Sequence, residues 1–148
     1  MTIGQRIKKA RLHRGLTQRQ LGMLVGFPEN SADARIAQYE ASDRKPRTQI
    51  KYKLSEVLGI NPRYFFMHEN FIFEDIFLTL LELDEGCKID LTPVCGRSRT
   101  RVTIHFDYEE MDDFLLDWIE QKQALAENKI TKKDYMDWVL TYSALTQH

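Results

Sequence analysis

Apolar residues in the first half of the chain recur three and four positions apart, in short stretches that glycines close. This spacing predicts amphipathic helices. The first helix is expected over residues 3 to 14, and the second is expected from Thr17 to about Val25. Two residue pairs before these helices have the spacing of a capping box, Thr2 with Gln5 and Thr17 with Gln20.

The same periodicity predicts three further helices before about residue 66. A third helix is expected from Ala32 to Glu40, after a connection that contains Pro28, and a fourth is expected from Ile50 to Leu58. Asn61 and Pro62 have the residue types that cap and open a helix, so they predict a short fifth one. Five short helices are therefore expected in this half of the chain.

The second half begins with a helix of different character and a hairpin. Residues Phe71 to Leu83 are apolar almost all round, so this helix is expected to pack on two sides. Apolar and polar residues then alternate over residues 88–92 and again over residues 101–106. Alternation of this kind predicts the two strands of a β-hairpin.

Two helices are expected after the hairpin. Helical spacing returns over residues 107–125, and Thr131 with Asp134 predicts the cap of a last helix. The expected fold is therefore mainly α, with a five-helix domain over residues 1–68 and a small α+β domain of αββαα order over residues 69–148.

Charge is divided unevenly between the two halves. The 148 residues have a formal net charge of −1. Residues 1–66 hold 13 Lys and Arg against 5 Asp and Glu, a net charge of +8, whereas residues 67–148 hold 8 basic and 17 acidic residues, a net charge of −9. A basic half of this kind is expected to bind a polyanion such as nucleic acid, and the acidic half is expected to avoid one.

Little in the sequence indicates chemistry other than binding. Cys87, Cys95 and His105 do not have zinc-ligand spacing, and the acid pairs of residues 109–113 stand without a nucleophile or a phosphate-binding loop. We therefore expect no enzyme activity, catalytic residue, metal or cofactor. No apolar run approaches ~20 residues and no signal-peptide pattern opens the chain, so we expect no membrane contact and a cytoplasmic location.

Four segments of the first half resemble one known family. They are residues 5–11 (QRIKKAR), 15–22 (GLTQRQLG), 36–40 (IAQYE) and 54–60 (LSEVLGI). Together they resemble the Cro/lambda-repressor-like helix-turn-helix family, also called the xenobiotic-response-element regulators, over about residues 3–66. The resemblance implies a five-helix DNA-binding domain whose third helix enters the major groove of double-stranded DNA.

The residues expected to contact DNA lie on the second helix, on the third helix and in the loop after it. Gln18 can offer its amide and the neighbouring backbone N–H groups to a phosphate. On the third helix Gln38 can pair with adenine and Arg35 with guanine, and the basic loop adds salt-sensitive contacts to the DNA backbone. The predicted DNA-binding residues are Gln18, Arg19, Ser31, Asp33, Ala34, Arg35, Gln38, Arg44, Lys45 and Arg47.

Two features of the resemblance concern structure. Arg11 and Glu40 match positions that form a partly buried ion pair in the family, so we expect them to stabilise the fold. The connection before the third helix is longer than the compact family pattern, and Asn30 or Ser31 is expected to cap that helix. Asp33 can stabilise the helix N-terminus or accept a hydrogen bond from cytosine.

The C-terminal half is expected to serve association. Its apolar segment Phe71–Leu83 and its tryptophans Trp118 and Trp138 suit a homodimer that pairs two DNA-binding domains on a palindromic operator as a repressor. The same residues can instead fill the core of a monomer. An alternative function is that of an antitoxin-like or adaptor protein, whose C-terminal domain binds another protein or an effector and whose DNA binding serves autoregulation.

Overall fold

The computed structural model describes residues 1–67, 73–96 and 98–143. In chain order the described elements are α1 (Ile3–His13), α2 (Gln18–Val25), α3 (Ala32–Glu40), α4 (Thr48–Leu58), a 3-10 helix (Pro62–Phe65), α5 (Phe73–Gly86), β1 (Ile89–Cys95), β2 (Thr100–Phe106), α6 (Glu109–Ala126) and α7 (Lys132–Thr141). The fold is mainly α with one small antiparallel sheet, which confirms the predicted class. None of the described helices is both long and apolar enough to span a membrane.

The helices begin where the sequence predicts caps. Thr2, Thr17 and Thr131 each accept a hydrogen bond from the backbone N–H three residues later, and the side chain at that later position accepts one from the N–H of the cap. All three are therefore complete capping boxes. The predicted fifth helix is a single 3-10 turn, which Asn61 caps through its side chain.

Two glycines allow the neighbouring helices to approach α3 closely. A Cβ atom on Gly22 of α2 would lie 2.3 Å from the carbonyl oxygen of Ala32, the first residue of α3. A Cβ atom on Gly4 of α1 would lie 2.3 Å from the carbonyl oxygen of Tyr39, near the end of α3. Any larger residue at either position would push α3 away, so these glycines fix where α3 lies against α1 and α2.

The core of the N-terminal helices includes a residue from the last helix. Ile7, Leu21, Ile36 and Leu54 are fully buried in one apolar cluster, each from a different helix. Leu140 of α7, 1% exposed, belongs to the same cluster. Burial of each of these side chains contributes about 1.5–3 kcal/mol to folding, so α7 is part of what stabilises this core.

Polar contacts also hold α7 against the N-terminal helices. The backbone N–H of Asn61 donates to the carbonyl oxygen of Leu140 at 2.9 Å, and its side-chain amide donates to the backbone just after α7 at 2.6 Å. The carboxylate of Asp137 pairs with Arg14 and lies 3.0 Å from the Nε2 atom of His13. These contacts join α7 to α1 and to the segment after α4.

The division of the chain into compact parts differs from the prediction. The described residues form a first unit of residues 1–67 and 130–143 and a second unit of residues 73–96 and 98–129. The predicted division at residue 68 placed α7 and its Trp138 in the C-terminal domain, whereas both belong to the first unit. The apolar spacing of α7 predicts a helix, but it carries no information about which core that helix joins.

The second unit contains α5, the β-hairpin and α6. The strands pair in antiparallel register from Ile89 opposite Phe106 to Cys95 opposite Thr100, which confirms the predicted hairpin. Because side chains alternate between the faces of a strand, one face is mostly apolar, with Leu91 opposite Ile104. The other face is mostly polar, with Val94 opposite Arg101 as its apolar member.

No described side chain of the second unit is buried. The exposed fractions of Phe77 and Leu81 on α5 are 58% and 68%, and those of Leu91 and Val102 on the hairpin are 64% and 60%. The prediction that the apolar helix packs on two sides is therefore wrong for the described part of a single chain. The predicted start of that helix, residues 71 and 72, lies outside the described residues.

Candidate nucleic-acid interface

Helix α3, the predicted recognition helix, begins at Ala32, after a turn in which Ser31 is hydrogen-bonded to Pro28. Ser31 occupies the cap position, as predicted, but its side chain accepts no hydrogen bond from the helix. Its hydroxyl instead donates to the carbonyl oxygen of Pro28 at 3.3 Å, and its backbone N–H donates to the same oxygen at 2.9 Å. The first N–H groups of α3 therefore have no side-chain cap, and Ser31 helps to shape the turn.

One face of α3 is exposed and carries three of the predicted base-contacting residues. Asp33, Ala34 and Gln38 are exposed, and Ala34 and Gln38 are one helical turn apart. Arg35 is half-buried, with its guanidinium carbon 6.0 Å from the centre of the Phe27 ring. The structure thus places the guanidinium of Arg35 beside Phe27 of the turn, whereas Asp33, Ala34 and Gln38 are exposed.

A basic segment follows α3 directly. Arg44, Lys45 and Arg47 are exposed, and Pro46 between them is buried. The backbone N–H of Arg44 donates to the carbonyl oxygen of Gln38 at 3.3 Å, so the segment starts against the C-terminal turn of α3. The buried proline anchors the middle of the segment, so the flanking cations lie at the surface beside α3.

The side chain of Gln18 binds an ion pair that lies between helices. Arg11 of α1 donates two hydrogen bonds to the carboxylate of Glu40, at 2.6 and 3.0 Å, and a third to the carbonyl oxygen of Leu16. Gln18 at the start of α2 donates its amide to the same carboxylate at 2.9 Å. The predicted structural ion pair is confirmed, and one of the two amide hydrogens that Gln18 could offer to a phosphate is already bonded.

The hydrogen bond and the charge of Glu40 favour the ionised form of Arg11, and they outweigh the opposite effect of burial. The hydrogen bond to Glu40 raises the pKa of the Arg11 guanidinium above its ordinary value, against the lowering effect of desolvation. The side chains of Arg11 and Glu40 are 9% and 5% exposed. Bidentate pairs of this geometry fix orientation as well as charge, so the pair fixes the end of α3 against α1 and the start of α2.

Arg19 is bound to the long turn. Its guanidinium lies 2.5 Å from the carboxylate of Glu29, and both side chains are more than half exposed. An exposed pair of this kind is worth ~0–1 kcal/mol. A phosphate can therefore replace Glu29 as the partner of Arg19 at little cost, and the predicted contact is compatible with the structure.

Not all of the basic residues of the first half contribute to the surface charge. Arg6 is 5% exposed and donates to the carbonyl oxygen of Met67 at 2.5 Å. Arg14 donates to the carbonyl oxygens of Leu58 and Gly59 and pairs with Asp137. Counting charge in the sequence could not separate these internal arginines from the exposed ones.

The start of α4 belongs to the same surface and has no signal in the sequence. Arg47 is the cap residue of α4 and makes no side-chain cap, so the first N–H groups of the helix are not bonded by it. Thr48 and Gln49 in the first turn are exposed. A helix N-terminus next to an arginine suits a phosphate. The absence of a Ser, Thr, Asp or Asn cap hid this feature.

A family model matches the segment of the chain that contains this surface, and a solved structure resembles part of the chain. The helix-turn-helix family HTH_3 matches residues 7–65. Among solved structures, the crystal structure of transcriptional regulator BswR is similar at 31% sequence identity, over 57% of this chain and 94% of that chain, with a TM-score of 0.43. No curated protein matches the chain.

Proposed function

Residues 7–65 form a Cro/lambda-repressor-like helix-turn-helix domain, so the protein is a DNA-binding transcription regulator, and we propose that it represses transcription as a homodimer on a palindromic operator. Repression requires only that the bound protein block the polymerase, whereas activation requires a further contact with it. The observation that carries the proposal is the exposed face of α3 beside a basic segment.

Base reading is proposed for the exposed face of α3. Gln38 presents an amide that can bond adenine through a donor and an acceptor, and Ala34 is small enough to let the helix approach base edges. Arg44, Lys45 and Arg47 are proposed to bind phosphates and to position α3. Arg35 is proposed to contact flanking phosphate, because its half-buried place beside Phe27 does not favour a guanine in the groove.

Homodimer formation is proposed for the second unit. Its exposed apolar residues lie on α5, on one face of the hairpin and on α6, where Leu116 and Ile119 are 64% and 51% exposed. A monomer seldom leaves this much apolar surface in water. A second copy with two-fold symmetry would cover the same surface on both chains, and the two helix-turn-helix domains would then match the two halves of a palindrome.

The contacts to DNA are tested by two substitutions with opposite expectations. Gln38→Ala should lose on the order of 1–3 kcal/mol of binding free energy on the operator, with little change on random DNA. Lys45→Ala should weaken binding to the operator and to random DNA alike. It should also reduce the slope of log affinity against log salt concentration by about one. The operator is first obtained by sequencing the DNA that the purified full-length protein retains.

Two variants on other surfaces serve as matched controls. Gln123→Ala removes an exposed helical glutamine of α6, and Lys133→Ala removes an exposed lysine of α7. Neither should change affinity for the operator. If Gln38→Ala reduces binding to every sequence alike, Gln38 does not read bases and the proposed role of α3 is wrong.

The antitoxin-like or adaptor alternative predicts a different assembly. A full-length chain that sediments as a monomer at micromolar concentration, and that binds a second protein in stoichiometric amount in its native host, would support that alternative. A dimer of twice the chain mass, retained on operator DNA, would support the repressor.

A further inference from the structure

The two outer edges of the β-hairpin differ in how well their backbone groups can hydrogen-bond a further strand. The N–H of Asp107 donates to the carbonyl oxygen of Lys88 at 3.0 Å, so these residues form a hydrogen-bonded pair next to the paired strands. Hydrogen-bonded and non-bonded pairs alternate along an antiparallel ladder. Pro93, five residues after Lys88 and opposite Val102, is therefore in a non-bonded pair, and its backbone nitrogen is directed away from β2.

Only the outer edge of β2 can donate hydrogen bonds along its whole length. On β1 the outward positions include Pro93, which has no N–H, and a proline there is a common way to prevent further strand pairing. On β2 the same alternation directs the N–H and C=O groups of Val102 and Ile104 outward. No proline interrupts β2, and its side chains are exposed up to Phe106.

We propose that β2 pairs with β2 of a second copy, in antiparallel orientation about a two-fold axis at Thr103, so that two hairpins form one four-stranded sheet. This inference rests on the proposed homodimer and names the surface that forms it. Outward groups of Val102 then bond with those of Ile104 in the other chain. A lone two-stranded hairpin is only marginally stable in water. A sheet of three or more strands with an apolar face can be stable by itself.

The charges along β2 favour this orientation. Arg99 precedes β2 and Arg101 is its second residue, whereas Asp107 follows β2 and Glu109 and Glu110 begin α6. An antiparallel pair about Thr103 places Arg99 opposite Asp107 of the second copy at both ends of the interface, whereas a parallel pair would place like charges together. Opposite charges across strands stabilise a pair, and like charges destabilise it.

The same placement explains how an acidic unit can associate with itself. Residues 71–129 hold 14 acidic and 6 basic residues, a net charge of −8. Two such units repel each other at long range. The basic start of β2 is the part of the unit where a second acidic unit is attracted, so the pairing of β2 directs the acids of one chain to the arginines of the other.

Cysteine crosslinking of the full-length chain tests the axis at Thr103. In a background of Cys87→Ser and Cys95→Ser, Thr103→Cys brings two cysteines together across the axis, in a non-bonded pair whose Cα separation of about 4.5 Å suits a disulfide. Thr92→Cys is the matched control, because Thr92 is paired with Thr103 within the hairpin and lies on the edge that Pro93 interrupts.

Mild oxidation should convert Thr103→Cys to a covalent dimer on a non-reducing gel and leave Thr92→Cys monomeric. If the chain sediments as a dimer but Thr103→Cys does not crosslink, or Thr92→Cys crosslinks equally, the proposed pairing of β2 is wrong and the homodimer stands. If the cysteine-free parent sediments as a monomer, the homodimer itself is wrong.

A charge exchange gives a second measurement. Arg99→Asp and Asp107→Arg should each raise the dissociation constant of the dimer about tenfold, because each brings like charges together at both ends of the interface. The double variant restores opposite charges in exchanged places and should return the constant close to that of the parent. If the double variant has a higher dissociation constant than either single variant, Arg99 does not lie opposite Asp107 of the second copy, and the antiparallel pairing is wrong.

Discussion

The two units of the protein use apolar residues in different ways. In the first unit, residues from α1 to α4, the 3-10 helix and α7 enclose one another, and several core side chains are fully buried. In the second unit α5, the hairpin and α6 each have an apolar face, but no described side chain is buried. Both units have regular secondary structure. The presence of helices and strands therefore does not show whether a unit buries its own apolar residues.

The difference teaches where each unit obtains its stability. A helix with an apolar face gains most of its stability from packing and not from intrinsic propensity. The first unit supplies that packing from its own chain. The second unit has apolar faces that its own chain does not cover. This is the physical reason for the homodimer and the β2 pairing proposed above.

The largest expected effect comes from breaking the core of the first unit at its most distant contributor. Leu140→Ala should reduce the free energy of unfolding by about 2–5 kcal/mol, because it leaves a cavity in the cluster that contains Ile7 and Leu54. Urea unfolding followed by tryptophan fluorescence measures the loss. Val139→Ala, one residue earlier and 38% exposed, is the control and should have little effect.

Equal losses for Leu140→Ala and Val139→Ala would contradict the placement of α7 in this core. The same outcome would remove the contrast between the units, because the first unit would then be complete without α7.

A smaller effect is expected from an apolar residue of the second unit. Leu81 is 68% exposed in the single chain, so Leu81→Ser should leave the unfolding of the first unit unchanged. If a second copy covers Leu81, burial of a leucine is worth about 1.5–3 kcal/mol, and the dissociation constant of the dimer should rise at least about tenfold. Sedimentation over a range of concentrations measures this constant.

The matched control is Leu12→Ser in α1, where the leucine is 58% exposed. It makes the same chemical change in the first unit and should leave the dissociation constant unchanged. If neither variant changes the constant, Leu81 is an ordinary exposed residue and the homodimer depends on other positions.

The smallest effect concerns the charged contact of α7 with α1. The nearby imidazole of His13, whose Nε2 atom lies 3.0 Å from the carboxylate, is the main cause that lowers the pKa of Asp137 below its ordinary value, and Arg14 adds to the lowering against desolvation. A carboxylate whose pKa is lowered by folding stabilises the fold above its unfolded pKa, about 3.9, and this stabilisation is lost as the pH falls through the folded pKa. Asp137→Asn should therefore destabilise the protein near neutral pH.

The difference in urea midpoint between Asp137→Asn and the parent should shrink as the pH falls from about 4 through the lowered pKa of Asp137, because the parent carboxylate then becomes protonated as well. We expect a small difference, because the side chain of Asp137 is 34% exposed and solvent screens its charges. A difference that is constant with pH would show that the contact does not depend on the charge of Asp137.

Local signals in the sequence predicted much of the fold. Thr17 and Gln20 are three residues apart, so the capping box that starts α2 needs no information from elsewhere in the chain. The alternation that produces the hairpin is also local. The helices, the strands and the exposed face of α3 with Asp33, Ala34 and Gln38 were predicted for this reason.

Features that depend on distant partners were not predicted. The amide of Gln18 is bonded to Glu40, 22 residues away, and the guanidinium of Arg35 lies beside Phe27, in the long connection before α3. The position of α7 depends on Leu140 meeting a core whose other members lie before residue 66. No periodicity or spacing contains the distance between two segments, so these contacts appear only once the chain is folded.

Leu140 gives the order of synthesis a consequence for this protein. Domains generally fold in order as they leave the ribosome, but the core of residues 1–67 is complete only after Leu140 has been synthesised, and the second unit is synthesised before Leu140. A chain that terminates early within the second unit contains the helix-turn-helix sequence without the side chain that completes its core. Every molecule with a fully packed DNA-binding unit has therefore also been translated through the second unit.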